Sequence, residues 1–146
     1  RAELWRLREA LSDAQRQEGG SIKHDVSVEI ARLPEFIIRA AEIVEKVCPG
    51  ARPVVFGHFG DGNVHYNVTQ PVGMNKSDYL DLWDAMGAAV HALVAEMDGS
   101  ISAEHGIGQL KRDALARFRS PVEIDVMRAL KSALDPIGIL NVGKLL

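Results

Sequence analysis

Cysteine is nearly missing from this sequence: Cys48 is the only one in 146 residues. A lone thiol excludes an internal disulfide framework and fits a reducing compartment, so a cytoplasmic location is expected. Cys48 itself, beside Pro49-Gly50 after a helical pattern, reads as a half-buried structural thiol. Long apolar runs are missing too, for no stretch approaches the roughly 20 residues that a membrane helix requires. The chain opens at Arg1 directly on a helical pattern, without a charged, apolar and small-residue signal segment, and is expected to be a fragment of something longer. There is no basic excess either. Lys and Arg total 17 against 20 Asp and Glu, a formal charge of -3, which argues against nucleic acid or an anionic membrane as the partner. The zinc-protease H-E-x-x-H, the Walker loop and G-x-S-x-G do not occur, and the glycine clusters GHFGDGN and EHGIG do not fit the dinucleotide fingerprint G-x-G-x-x-G.

What is present is an ordinary globular composition, 47% hydrophobic, enough for one domain over 1–146 with a sizeable core. Leu4, Leu7 and Leu11 predict a first helix ending near Gln17 to Gly20, with Arg8 and Ser12 on one face. Ser21 to Glu29 alternates Ile22, His24, Val26 and Val28 against Lys23, Asp25 and Ser27, a half-buried strand with Lys23 pointing away from the core. Phe36, Ala40, Ile43, Val44 and Val47 predict a helix over Leu33 to Val47, with Pro34 in its first turn. Two β-rich runs, Pro53 to Phe59 and Val64 to Thr69, flank Gly60-Asp61-Gly62-Asn63 and predict a hairpin with a four-residue turn. A helix through Trp83, Met86, Val90, Leu93 and Met97 is expected to be capped by Ser77. A short strand over Ser100 to Ala103, the loop Glu104 to Gly108 and a last helix over Val122 to Leu134 complete the chain. The order predicts an α+β fold, an antiparallel sheet backed by helices.

In that hairpin, Phe59 would pair with Val64 and His58 would stand opposite His65, with Cβ atoms about 4.5 to 5.5 Å apart, close enough to share one metal ion. Glu104, following a strand able to join the same sheet, is the best third ligand. Two imidazoles and a carboxylate leave coordination positions open, as a catalytic metal needs, and suit zinc, manganese or iron. Side chains alternate in extended backbone, so Glu104 can address the metal while His105 addresses an organic ligand. Asn67 shares the face of His65, and Arg8, Ser12 and Lys23 supply groups suited to a carboxylate. Three classes of function remain open: a redox enzyme, a small metal-dependent hydrolase using the open position to activate water, and a non-catalytic interaction domain whose histidines are structural.

The blocks His58-Phe-Gly-Asp-Gly-Asn-Val-His65-Tyr-Asn67, Ser100-Ile-Ser-Ala-Glu104-His105-Gly-Ile-Gly108 and Ile139-Leu-Asn141-Val-Gly143-Lys144 closely resemble the C-terminal region of FAD-linked oxidases. Leu4-Trp-Arg-Leu-Arg8-Glu and Lys23-His-Asp-Val-Ser27 also look like blocks of that family, in the same order, so the resemblance spans essentially the whole chain. It implies a ferredoxin-like fold and oxidation of D-2-hydroxy acids, of the 2-hydroxyglutarate, lactate or glycolate type, to 2-oxo acids. By the same resemblance His58, His65 and Glu104 ligate a divalent metal, zinc first among the candidates. His105 is the base beside the substrate. Arg8, Ser12, Lys23 and Asn67 hold its carboxylates, Ser12 standing where a threonine is familiar, and Asn141 lies toward the cofactor. Val142 stands where the family's terminal Asn-Pro-Gly-Lys has proline. The FAD-binding domain is not in these residues, so the resemblance makes it a partner within the same full-length protein, with the electron acceptor unassigned. Alone, the fragment is expected to be inactive.

Overall fold

The computed structural model describes residues 2–146. Along the chain run α1 (Ala2–Arg16), β1 (Ser21–Ser27), α2 (Leu33–Val47), β2 (Arg52–His58), β3 (Asn63–Thr69), α3 (Lys76–Leu80), α4 (Trp83–Glu96), α5 (Arg112–Phe118) and α6 (Pro121–Leu134). The strands form one sheet in the order β1-β3-β2, with both outer strands antiparallel to β3. β1 and β2 therefore point the same way and need a crossover, which α2 provides. This is the α+β architecture that the sequence predicts.

Alternation along the strands sorts the two faces of the sheet. Ile22 and Val26 of β1 and Val64, Tyr66 and Val68 of β3 are buried against Phe36, Ala40 and Val44 of α2 and Met86, Val90 and Leu93 of α4. Each of the larger aliphatic and Phe side chains contributes about 1.5–3 kcal/mol on burial, so a slip of one residue in register, which would exchange the faces, is strongly disfavoured. The opposite face keeps Lys23, Asp25, His65 and Asn67 together. α1 crosses that polar face. Gln15 donates from Nε2 to Ser21 Oγ and Thr69 Oγ1, both at 3.0 Å, and the Arg8 guanidinium lies 4.7 Å from the centroid of the Phe56 ring.

The hairpin is shifted from the predicted register. Its turn is a single 3-10 turn, Phe59–Asp61, closed by Gly62 at φ 79°, and β3 begins at Asn63. A side chain at Gly62 would collide with the Val28 carbonyl, which forces glycine to close the turn there. In consequence His65 pairs with Phe56 and His58 with Asn63, so the two histidines share a face as diagonal neighbours and do not stand opposite each other.

The predicted strand at Ser100 to Ala103 reduces to one antiparallel bridge, Ser27 with Ser100. Beyond Ser100 the backbone N–H groups of Ala103, Glu104 and His105 turn to the Asp25 carboxylate, so no further ladder forms. The expected cap Ser77 is replaced by Asn75, whose side chain accepts from the Ser77 N–H at the start of α3, and α4 follows as a separate helix. α5 has no counterpart in the sequence reading. α6 starts on a Ser120–Glu123 capping box with Pro121 in its first turn, one residue earlier than expected. Among the described residues no helix is long and apolar enough to cross a membrane.

Candidate active site

Four strand positions and one loop build the site on the polar face. His65, in the middle of β3, is directly opposite Asp25 on β1 and Phe56 on β2, and only 13% of its side chain is exposed. Its Nε2 lies 3.1 Å from Glu104 Oε1, and its Nδ1 lies 3.8 Å from Asp25 Oδ1. His58, at the end of β2, reaches the other oxygen of the same carboxylate, with Nδ1 at 3.9 Å from Glu104 Oε2. Asn63 donates to that oxygen at 2.8 Å and holds the carboxylate between the two imidazoles. His105 stacks on His65 with ring centroids 5.5 Å apart and stays open to solvent.

The loop that carries Glu104 and His105 is tied to β1. Asp25 Oδ2 accepts from the backbone N–H groups of Ala103, Glu104 and His105 at 3.1, 3.0 and 2.8 Å. Lys111 adds a second tie by donating to the carbonyls of Ile101 at 2.7 Å and Asp25 at 3.4 Å. Burial alone would push the Asp25 carboxyl upward, but the N–H groups of His105 and Glu104 and the nearby charge of Lys111 leave it below the usual carboxylate range. Burial also holds the His65 imidazole below the usual histidine range, even though Glu104 and Asp25 pull the other way. His65 is thereby kept in the neutral form that a metal needs.

This donor set fits a divalent ion. Atoms of Asp25, His65, Glu104 and His105 all lie within 4.8 Å of one another, and Asp25 Oδ1 is buried without a hydrogen-bond partner. His58 stands just outside that tightest group, on an exposed strand end, yet it faces the same Glu104 carboxylate. Asp25 is the weaker ligand candidate because its Oδ2 is already committed to three N–H groups. Two imidazoles and a carboxylate suit zinc, manganese or iron.

A cavity of about 850 Å³ opens beside the cluster, bounded by α1, β1 and the polar face of the sheet, α4, and the segment from Glu104 through α5. Arg8, Ser12, Lys23 and Asn67 line it together with His65, Glu104 and His105, so residues far apart in sequence converge on one space. Asn67 is buried and already donates to Gln15 Oε1 at 2.8 Å, which leaves Arg8, Ser12 and Lys23 as the freer polar groups. His58 and Asn141 are not among the lining residues; Asn141 sits in a C-terminal turn at φ 46° and accepts from the Lys144 N–H. Four residues with a part in this arrangement escape the sequence reading: Asp25, Gln15, Asn63 and Lys111. Alternation does place Asp25 on the face of Lys23, but only the strand register puts it against His65.

Residues 1–145 match the model of the family described as FAD linked oxidases, C-terminal domain. The chain belongs to that family. Among curated relatives it is 41% identical over 142 residues to the D-2-hydroxyglutarate dehydrogenase of Stutzerimonas stutzeri (strain A1501), which covers 97% of this chain and 30% of that protein. It is 40% identical to the mitochondrial D-2-hydroxyglutarate dehydrogenase of Rattus norvegicus, over 98% of this chain and 25% of the relative, and 31% identical to that of Arabidopsis thaliana, over 98% and 24%. The chain thus spans less than a third of the length of these relatives.

Proposed function

We propose that this chain forms the metal- and substrate-binding part of an FAD-dependent dehydrogenase that oxidises D-2-hydroxy acids to 2-oxo acids, with D-2-hydroxyglutarate as the preferred substrate. The observation that carries this reading is the convergence of His65, Glu104 and His105 on a cavity that Arg8, Ser12 and Lys23 also line, with His58 facing the Glu104 carboxylate from outside it. Arg8 and Lys23 are two cations facing one space, a fit for a dianionic acid. His58, His65 and Glu104 would hold the divalent ion, zinc, manganese or iron, which supplies Lewis acidity toward the 2-hydroxyl and C1 carboxylate. His105, on the cavity side of the cluster, takes the hydroxyl proton. Arg8, Ser12, Lys23 and Asn67 fix the carboxylates so that the C2–H bond keeps one orientation. A flavin, held mainly by a part of the protein outside this chain and with Asn141 contributing to its binding, would supply a hydride acceptor for C2 of the acid.

A screen of D-2-hydroxy acids on the full-length protein, with an artificial electron acceptor and with or without a chelator, tests this. The expected result is the highest kcat/KM for D-2-hydroxyglutarate, loss of turnover on chelation and recovery on adding zinc or manganese. Equal rates with and without chelator would remove the metal from the reaction. A clear preference for a monocarboxylate such as D-lactate would remove the assigned substrate.

A further inference from the structure

Asp25 is a charged side chain in a place that water hardly reaches, since only 3% of it is exposed. Burial of a carboxylate is costly unless its oxygens are satisfied. Oδ2 is satisfied in full by the N–H groups of Ala103, Glu104 and His105, donors that a fourth strand would otherwise have spent on a ladder. Oδ1 has no partner, and it faces His65 Nδ1 at 3.8 Å. His65 is thus flanked by carboxylates on both ring nitrogens, Glu104 at Nε2 and Asp25 at Nδ1. A neutral imidazole has one protonated nitrogen and one free lone pair, and whichever group sits at one nitrogen decides what the other offers.

We infer that Asp25 is a positioning residue: its unpartnered Oδ1, 3.8 Å from His65 Nδ1, is placed to accept from that N–H when a small approach closes the gap on metal binding, which reserves the Nε2 lone pair for a divalent ion, while its Oδ2 holds the backbone of Glu104 and His105 beside the same ion. One carboxylate then sets the tautomer of one ligand and the backbone position of another. The inference rests on the metal site proposed above. A purely structural Asp25 would staple the loop and leave His65 unaffected. Asp25→Asn separates the two roles. The amide oxygen still accepts from the loop, but its NH2 group faces His65 Nδ1 as a donor and drives the ring proton to Nε2.

The experiment compares the full-length wild-type protein with Asp25→Asn, both stripped of metal, by titrating zinc in competition with a chromogenic chelator. Thermal unfolding of the stripped proteins and 15N spectra after histidine labelling accompany it. Expected are zinc binding weakened about 10- to 100-fold in the variant, little change in unfolding temperature, and a His65 proton on Nδ1 in the wild type and on Nε2 in the variant. Zinc bound as tightly by Asp25→Asn as by wild type would overturn the inference and leave the metal site standing. Should the variant fail to fold, the zinc-loaded wild-type spectrum decides alone: a His65 proton on Nε2, with zinc on Nδ1, would overturn it. A wild-type protein that binds no zinc would sink the His58, His65 and Glu104 site itself and this inference with it.

Discussion

His105 and His65 stack on each other yet have opposite environments, and that contrast predicts opposite mutant behaviour. His105 is 63% exposed, so its ring contributes little to the core and can be removed with little effect on folding. His105→Ala in the full-length enzyme should lower kcat by about 10²- to 10⁴-fold, the usual worth of a positioned base. Its unfolding temperature should stay near that of wild type. Steady-state kinetics and a thermal melt measure both, and a near-normal kcat would end the assignment as base. His65 is mostly covered and lies between Asp25 and Glu104, two carboxylates that would be left facing each other across the gap. His65→Ala should therefore abolish stoichiometric metal and also destabilise the fold. Elemental analysis that finds the wild-type metal content in His65→Ala would remove it as a ligand.

Between β1 and α4 lies a pair of histidines that borders the cavity but stands outside the metal cluster. His24 and His91 meet edge to face with centroids 5.8 Å apart, both buried, and burial pulls each from the ordinary 6.5 down to about 4. Because the folded pKa is depressed, the unfolded chain takes up protons that the folded one refuses. The stability this represents is complete above about pH 6.5 and is lost as pH falls toward 4. Each ring is worth at most about 3 kcal/mol by the shift, and the two do not simply add because His91 senses the charge of His24. His65, also depressed by burial, adds to the same window, whereas Asp25 and Asp135, depressed from 3.8, act below it. Urea unfolding at pH 7.5 and 4.5 should show a marked fall for wild type and a smaller one for His91→Gln. Identical falls would mean that His91 is not the titrating group.

At this same scale, α2 and α6 were legible within a residue or two because apolar periodicity and proline placement both report which face turns inward. The hairpin was legible as a hairpin, but its register was not. A four-residue turn can be cut at Gly60–Asn63 or at Phe59–Gly62, and only the contact of Gly62 with Val28 chooses between them. The strand expected at Ser100 failed because hydropathy records side-chain burial, whereas its hydrogen-bond donors went to a side chain, Asp25, from distant sequence. Histidine and glutamate candidates could be picked by residue chemistry. The aspartate that ties them together could not, because its role exists only once β1 lies beside β3.

Across the molecule, the cavity balances charge while the chain as a whole carries -3, for Arg8, Lys23, Lys111 and Arg117 line it beside Asp25, Asp84, Glu104 and Asp113, and Arg8 from α1 and Lys23 from β1 reach it from separate elements. Arg8 is braced from below by Phe56, its guanidinium lying over the ring at 4.7 Å, which leaves its planar fork free to meet a carboxylate. A hydrogen bond to a charged group is worth about 1.5–3 kcal/mol, or roughly 10- to 100-fold in kcat/KM. For the full-length enzyme, Arg8→Ala and Lys23→Ala should each cost about that much with D-2-hydroxyglutarate and markedly less with D-lactate, which lacks the second carboxylate. Arg8→Lys should recover only part of the loss, because charge returns without the fork. If Arg8→Ala instead lowers kcat/KM equally for both acids, the two cations hold the carboxylate common to them and the preference for a dicarboxylate must arise outside this chain.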